Sequence, residues 1–350
     1  MSPHQDNIMI GIDDVRTAAA RLDGHITATP LLALPALEEL CGAPVLCKAE
    51  NLQKTGSFKL RGALNHVLSL SRDERAGGII AASSGNHAQA IAWAARLVGT
   101  YAVVVVPADA PQAKVHAAQA LGAEVVHYAR GGEDRDAIVA ALARERGLAV
   151  VPSANSEQVI AGGGTVAAEI LAETDQVSTL VVPVGGGGLA AGCAVAAKAL
   201  SPNMRVVGVE PEHGADTVLS LRQGRRVSIP IPATIADGLT HATPAPLPFA
   251  INQALLDQVV TVGDAEIVEA MAAAFAHLKV VVEPSGACAL AAVMCGRIEI
   301  FSGTIGVVLS GGNIAWTTFR SLVGRAETAG GDRGVPGLHA GSVQRAASTP

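Results

Sequence analysis

From residue 78 onward the chain alternates short apolar runs with amphipathic stretches, and that rhythm leaves few architectures open. Residues 78–82, 101–106 and 124–128 have strand length, while 86–98, 111–121 and 133–144 carry helical periodicity. Parallel strands need a crossover long enough for a helix, and such helices cover both faces of the sheet. The pattern resumes with a helix at 158–172, a strand at 179–184, a helix at 189–200 and a strand at 205–210. Beyond a loop at 228–248 that holds five prolines come a strand at 258–262, helices at 265–278 and 286–295, a strand at 304–309 and a helix at 314–323. Earlier, residues 12–22 are helical, 29–31 form an extended lead-in, and 45–50 read as a strand. The expectation is an α/β chain of two domains, each a twisted, mostly parallel sheet flanked by helices. A smaller domain falls at 76–152, between 1–75 and 153–325. Aromatics are only 3% and glycines number 38, a composition suited to closely packed helix and strand layers.

Strand 45–50 feeds the run Thr55-Gly56-Ser57-Phe58-Lys59-Leu60-Arg61-Gly62. Thr55, Gly56 and Ser57 can end an extended segment and cap a helix, which puts Lys59 in its first turn. The positive end of the helix dipole and partial burial both disfavour an ammonium there. The neutral amine is the form that makes a Schiff base. Taken alone, the hexapeptide equally fits an amphipathic lysine packing its stem on the core. Gly185-Gly186-Gly187-Gly188 follows an apolar strand and opens a helix, so its amides make an anion cradle or a tight turn. It lacks a phosphate-loop lysine and the spaced glycines of a dinucleotide loop. Ser83-Ser84-Gly85-Asn86-His87 is either a carboxylate grip or a well-capped helix start. Glu210, Gly214 and Asp216 are spaced to gather two carboxylates and a carbonyl on one hard cation, or are solvated acids at a helix start.

Ser57-Phe58-Lys59-Leu60-Arg61-Gly62, Ser83-Ser84-Gly85-Asn86-His87, Gly185-Gly186-Gly187-Gly188-Leu189, Glu283-Pro284-Ser285-Gly286 and Ser310-Gly311-Gly312-Asn313 come in one order. Together they resemble the serine/threonine dehydratase family, the branch of fold-type II pyridoxal-phosphate enzymes that includes serine racemases. The resemblance covers roughly residues 12–322. It implies pyridoxal 5'-phosphate on Lys59 beside Phe58, with 1–75 and 153–325 as the cofactor-binding domain. The phosphate would lie on Gly185, Gly186, Gly187, Gly188 and Leu189, and the ring 3-oxygen by Asn86. Ser310 would meet the pyridine nitrogen, with Glu283 near the ring. A neutral serine partner leaves that nitrogen largely unprotonated, which favours prompt β-elimination over transamination. The substrate carboxylate would sit on Ser83, Ser84, Asn86 and His87, with Arg135 approaching acidic ligands. Ser84 resembles the racemases' second base, opposite Lys59. Likeness to the metal-activated members implies Mg²⁺ or Ca²⁺ at Glu210, Gly214 and Asp216, and a homodimer.

The implied activity is dehydration of a β-hydroxy amino acid to a 2-oxo acid and ammonia, with L-threonine or L-serine first. Alternatives are racemisation, 3-hydroxyaspartate dehydration, β-replacement and a non-catalytic small-molecule binder. Two departures from the family pattern bear on the substrate. Residues 152–158 read Pro-Ser-Ala-Asn-Ser-Glu-Gln where His-Pro is usual, with Gly163 where Gln is frequent, and Thr240-His241-Ala242-Thr243 is also atypical.

Net charge is −6 with no basic block, which argues against nucleic acid and anionic membranes. Five cysteines without metal-ligand spacing read as reduced thiols of a cytoplasmic protein. Residues 180–197 lack charge, but Pro183 and five glycines make a strand, turn and helix the better reading than a membrane span. Residues 1–6 show no secretion signal. Residues 326–350, rich in Gly, Ala, Ser and Pro without periodicity, are expected to be a disordered tail with no room for a regulatory domain.

Overall fold

The computed structural model describes residues 10–33, 35–83, 85–110, 112–129, 132–299 and 303–329. Among the described residues the alternating runs become ten strands: β1 (Leu31–Ala33), β2 (Val45–Ala49), β3 (Ile79–Ala82), β4 (Ala102–Pro107), β5 (Glu124–Tyr128), β6 (Ala149–Val150), β7 (Val177–Pro183), β8 (Arg205–Pro211), β9 (Gln258–Val262) and β10 (Thr304–Leu309). They form a six-stranded sheet ordered β1-β2-β10-β7-β8-β9 and a four-stranded sheet ordered β5-β4-β3-β6. Every pairing is parallel except β1 against β2. The extended lead-in at 29–31 therefore becomes an antiparallel edge strand.

The helices that sequence periodicity locates appear at Ile12–Leu22, Asn86–Val98, Glu157–Glu173, Gly188–Leu200 and Pro284–Met294. The stretch expected at 265–278 is α-helical over Asp264–Ala273 and continues as a π turn, Ala274–Leu278. The proline-rich stretch is not all loop. Pro246–Leu255 is a helix with proline in its first turn, where the missing N–H costs nothing. Helix Trp316–Ala329 runs past the expected start of the tail, because Arg325-Ala326-Glu327 are good helix formers. Positions 330–350 of that expected tail lie outside the described residues. The apolar run at 180–197 is strand β7, a turn and helix Gly188–Leu200. Among the described residues no helix is long and apolar enough to cross a membrane.

Two clusters sandwich the larger sheet. One holds Val181, Val207, Leu290 and Val307, and the other holds Ile160, Leu180, Val182, Ala190 and Val308. A third, with Leu60, Leu64, Ile79, Ile91 and Val104, joins the helix after Lys59 to the smaller sheet. Helices Glu157–Glu173 and Gly188–Leu200 pack backbone to backbone. A Cβ on Gly192 would lie 2.1 Å from the carbonyl of Ile160, so any larger residue there would push the glycine turn out of place.

Candidate active site

The site forms where strands of both sheets end. In the larger sheet β10 lies between β2 and β7, with Leu309 level with Ala49 and Val307 level with Val181. Three carboxyl ends thus deliver the Lys59 loop, Ser310 and the glycine turn side by side, the crevice where open α/β sheets bind ligands. Phe58 N donates to the Ser310 carbonyl at 3.0 Å, and Gly312 N to the Gly56 carbonyl at 2.9 Å. A narrow cavity of about 30 Å³ lies between them, lined by Phe58, Lys59, Ala154, Gly185 to Leu189 and Ser310. From the smaller sheet, β3 leads into Ser83 and helix Asn86–Val98, and β6 into Ser153 and Ala154.

Lys59 opens helix Lys59–Ser69, but no side chain caps it: the cap residue is Phe58. The expected Thr55-Ser57 cap does not form, and among the described residues neither buried hydroxyl has a partner. The Ser57 backbone instead bridges to Gly311, which binds this turn to the end of β10. Lys59 Nζ donates to the Ser153 carbonyl at 3.0 Å and lies 5.1 Å from the Phe58 ring centroid. Among the described residues no carboxylate pairs with it. Burial, uncompensated, lowers its pKa to about 8.

The helix beneath is pinned by Arg61, which is fully buried. Arg61 donates to both oxygens of Glu50 at 2.8 Å and to those of Glu169 at 2.5 and 2.8 Å. Lys48 pairs with Glu169 at 2.7 Å and donates to the Thr29 carbonyl at 2.6 Å.

Gly187 has φ +87° and caps helix Gly188–Leu200, whose first amides have no intrahelical acceptor. A Cβ on Gly187 would fall 2.8 Å from Asn252 Nδ2 and one on Gly186 3.1 Å from the Ala154 Cβ, so side chains would fill the cradle. The glycine turn, an uncommitted amine and Ser310 at the far end fit a phosphorylated pyridine aldehyde.

Around this core the remaining predicted residues divide. Asn86 starts its helix and is clamped, with its amide nitrogen on Glu283 Oε1 and its oxygen taking Asn313 Nδ2 at 2.8 Å. One Asn86 N–H stays available. Burial raises the Glu283 pKa to about 7, so the carboxyl is half neutral near physiological pH. Ser83 turns inward, its hydroxyl accepting Gly85 N at 3.2 Å, and Ser84 lies outside the described residues. The His87 ring is buried on the Val151 carbonyl at 3.0 Å. Burial and the nearby Lys59 hold its pKa down at about 3. A neutral ring so placed cannot meet a carboxylate as a cation; what His87 offers there is its backbone N–H. Arg135 begins helix Arg135–Arg146 with a half-exposed side chain paired to Asp136 at 3.0 Å.

Glu210, at the end of β8, accepts Thr217 N and Val218 N at 3.0 and 2.9 Å. Gly214 closes the 3-10 turn Glu212–Gly214 that leads to Asp216. The Asp216 carboxyl is buried against that of Glu210, with which it shares a side-chain hydrogen bond. Burial raises both pKa values, Glu210 with added repulsion from Asp216. Among the described residues no group of three His, Cys, Asp or Glu side chains forms a metal site.

Lys114 carries no sequence signal: it is a lone lysine on helix Gln112–Ala120. The fold brings it to Asp237 at 2.5 Å and Glu283 at 3.5 Å, across from the smaller sheet. Burial works against its charge, but the two carboxylates outweigh it and raise its pKa.

Residues 22–311 match the pyridoxal-phosphate dependent enzyme family, and the chain belongs to it. It is 42% identical over 314 residues to an L-threo-3-hydroxyaspartate ammonia-lyase of Saccharomyces cerevisiae, covering 90% of this chain and 96% of the relative. It is 39% identical to a serine racemase of Schizosaccharomyces pombe, covering 88% of this chain and 96% of that one. The fold superposes on the structure of maize serine racemase with a TM-score of 0.86 at 35% identity, covering 91% of this chain and 99% of that one. The resemblance drawn from the five motifs and the fold it implied are thereby established, and the homologues include pyridoxal-phosphate dependent ammonia-lyases.

Proposed function

We propose that the protein eliminates water from a β-hydroxy L-amino acid, releasing a 2-oxo acid and ammonia, with L-threo-3-hydroxyaspartate ahead of L-threonine and L-serine. The observation that carries the reaction is Lys59, a partly buried amine that has no counter-ion among the described residues and lies at the mouth of an anion cradle. The cofactor, when bound, supplies an aldehyde carbon that takes an amine covalently and a ring that draws electrons from the substrate α-carbon. Gly185 to Leu189 would hold its phosphate, Ser310 would meet its ring nitrogen and Asn86 its hydroxyl. Lys59, poised near neutrality, removes the α-proton. The amides of Asn86 and His87 at the helix start orient the carboxylate.

The substrate order is supported by the name of the yeast relative. Racemisation is the second reading, favoured by the racemase relatives; its proposed second base, Ser84, lies outside the described residues. The two separate sheets support the division into 76–152 and a discontinuous domain of 1–75 and 153–325. Mg²⁺ or Ca²⁺ between Glu210, the Gly214 carbonyl and Asp216 is supported by two carboxyl groups buried against each other with no basic residue, among the described residues, paired to either. A cytoplasmic homodimer completes the proposal, with five unpaired cysteines in keeping with a reducing compartment.

Incubated with each of the three L-substrates, the purified enzyme is expected to release ammonia and 2-oxo acid one for one. Chiral chromatography should find D-enantiomer only as a minor product. D-serine forming faster than pyruvate from L-serine would overturn the assignment.

A further inference from the structure

A run of four glycines has no side chains to hold its own backbone, so its shape must be imposed from outside. Strand β8 fixes where the run begins, with Val184 N donating to the Val209 carbonyl at 2.7 Å. At the far end stands Asn252, on helix Pro246–Leu255, whose Nδ2 donates to the Gly187 carbonyl at 3.3 Å. Among the described residues Asn252 is the one side chain that hydrogen-bonds this turn. No step above uses it.

The position is an unfavourable one for an amide. Asn252 is 1% exposed, and its helix neighbours Leu247, Ile251, Leu255 and Leu256 all pack into the apolar cluster on this side of the larger sheet. An amide among aliphatic groups costs free energy, and its Oδ1 has no partner among the described residues, which adds to that cost. A leucine would fill the place without either penalty. What the amide supplies is direction. The Gly187–Gly188 peptide is trans, so the Gly188 N–H points away from the carbonyl that Asn252 and Ala191 N, at 2.9 Å, hold together. That direction leads out of the helix N-terminus and into the cradle. Gly187 has φ +87°, and a Cβ there would fall 3.0 Å from the Pro248 Cβ of the same supporting helix. The start of that helix is fastened to the opposite wall, because Leu247 N donates to Asn155 Oδ1 at 3.0 Å, one residue beyond Ala154. One helix thus braces both sides of the phosphate end.

We propose that Asn252 is a positioning residue for the cofactor phosphate: from the core side it holds the Gly187 carbonyl and so aims the Gly188 N–H at a phosphate oxygen. The inference rests on the reading above that the glycine turn receives that phosphate. Asn252 itself touches neither cofactor nor substrate, and acts through the orientation of one peptide.

The test compares pyridoxal 5'-phosphate with pyridoxal, which has the same aldehyde and ring but no phosphate. Dissociation constants of both are measured by fluorescence titration of the whole chain freed of cofactor, in the wild type, Asn252→Leu and Asn252→Ser. In Asn252→Leu the preference for the phosphorylated form is expected to fall about 5- to 20-fold, the effect of one misdirected charge-assisted hydrogen bond. Pyridoxal affinity and the melting temperature of the cofactor-free protein should hold. Asn252→Ser withdraws the donor without making the site apolar; it should lose the same preference, and it decides the question if the leucine variant fails to fold. An unchanged preference in a folded variant, whether both ligands weaken equally or neither does, overturns the proposal, because a merely structural residue would not tell the two apart. If the wild type binds pyridoxal as tightly as its phosphate, the cradle reading fails first and this proposal falls with it.

Discussion

Lys48 and Lys59 are both withdrawn from water within one short stretch of chain, yet the protein treats them in opposite ways. Lys48 lies in a closed network with Glu169, Arg61 and Glu50, where each cation faces a carboxylate at hydrogen-bond distance. Lys59 has one carbonyl and the edge of a cavity. The first arrangement turns buried charge into rigidity, since removing either partner leaves an uncompensated ion. The second leaves the cost of burial on the amine itself, which appears as a lowered pKa and an available lone pair. The network under helix Lys59–Ser69 is thus the platform that holds an uncomfortable lysine still.

The comparison breaks most visibly at Lys59 itself. Lys59→Ala is expected to lower elimination by about 10³-fold or more, because nucleophile and base are lost together. Borohydride should trap the cofactor on Lys59 in the wild type, read by peptide mass spectrometry, while an adduct on Lys48 or Lys54 would reverse the assignment. Without cofactor, acylation of Lys59 should rise as pH passes about 8, where the amine becomes neutral, while Lys48 stays protected by its partners.

Next in size is the platform. Arg61→Met strands Glu50 and leaves Glu169 with Lys48 alone, and should cost about 3–5 kcal/mol in denaturant unfolding. An effect under about 1 kcal/mol would mean that the network is not what fixes the helix.

The smallest effect sharpens the contrast with anions. Glu210 and Asp216 have pKa values raised to about 8 and about 7, so the folded chain keeps protons that an unfolded carboxyl releases near pH 4. With chelator present, the melting temperature should therefore fall as pH rises from about 4 through 8. Mg²⁺ or Ca²⁺ should reverse that fall, and Asp216→Asn should flatten it. No response to cation or chelator would leave the pair as a purely structural pair of acids.

Much of this was legible in the sequence. Strand and helix periodicity locates β5, β9 and β10 to the residue, and the glycine run after an apolar strand marks the cradle. What was not legible depends on distant segments meeting. The Thr-Gly-Ser turn looks like a helix cap, but pairing of Ser57 with Gly311 takes the backbone elsewhere and leaves the hydroxyls idle. His87 belongs to the loop expected to grip the carboxylate, yet the carbonyl after β6 takes its ring. Lys114 becomes part of the site only because the smaller sheet faces Glu283 and Asp237. Helix Pro246–Leu255 hid behind prolines that read as loop residues until their place in a first turn was seen.

The placement of β10 also governs how the molecule is made. Among the described strands β10 comes last in the chain, yet it is inserted between β2 and β7, and it leads into Ser310 and the Gly311 bridge that sets the lysine loop. Until it emerges, two apolar strand edges face each other unpaired, and pairing across so long a loop is slow. A growing chain therefore has its lysine and its glycine turn early but no assembled pocket, and is exposed to aggregation and to premature capture of reactive aldehydes in that interval. Closing the sheet is the event that brings the three pieces together, so no pocket for the chemistry exists until β10 has been made and inserted.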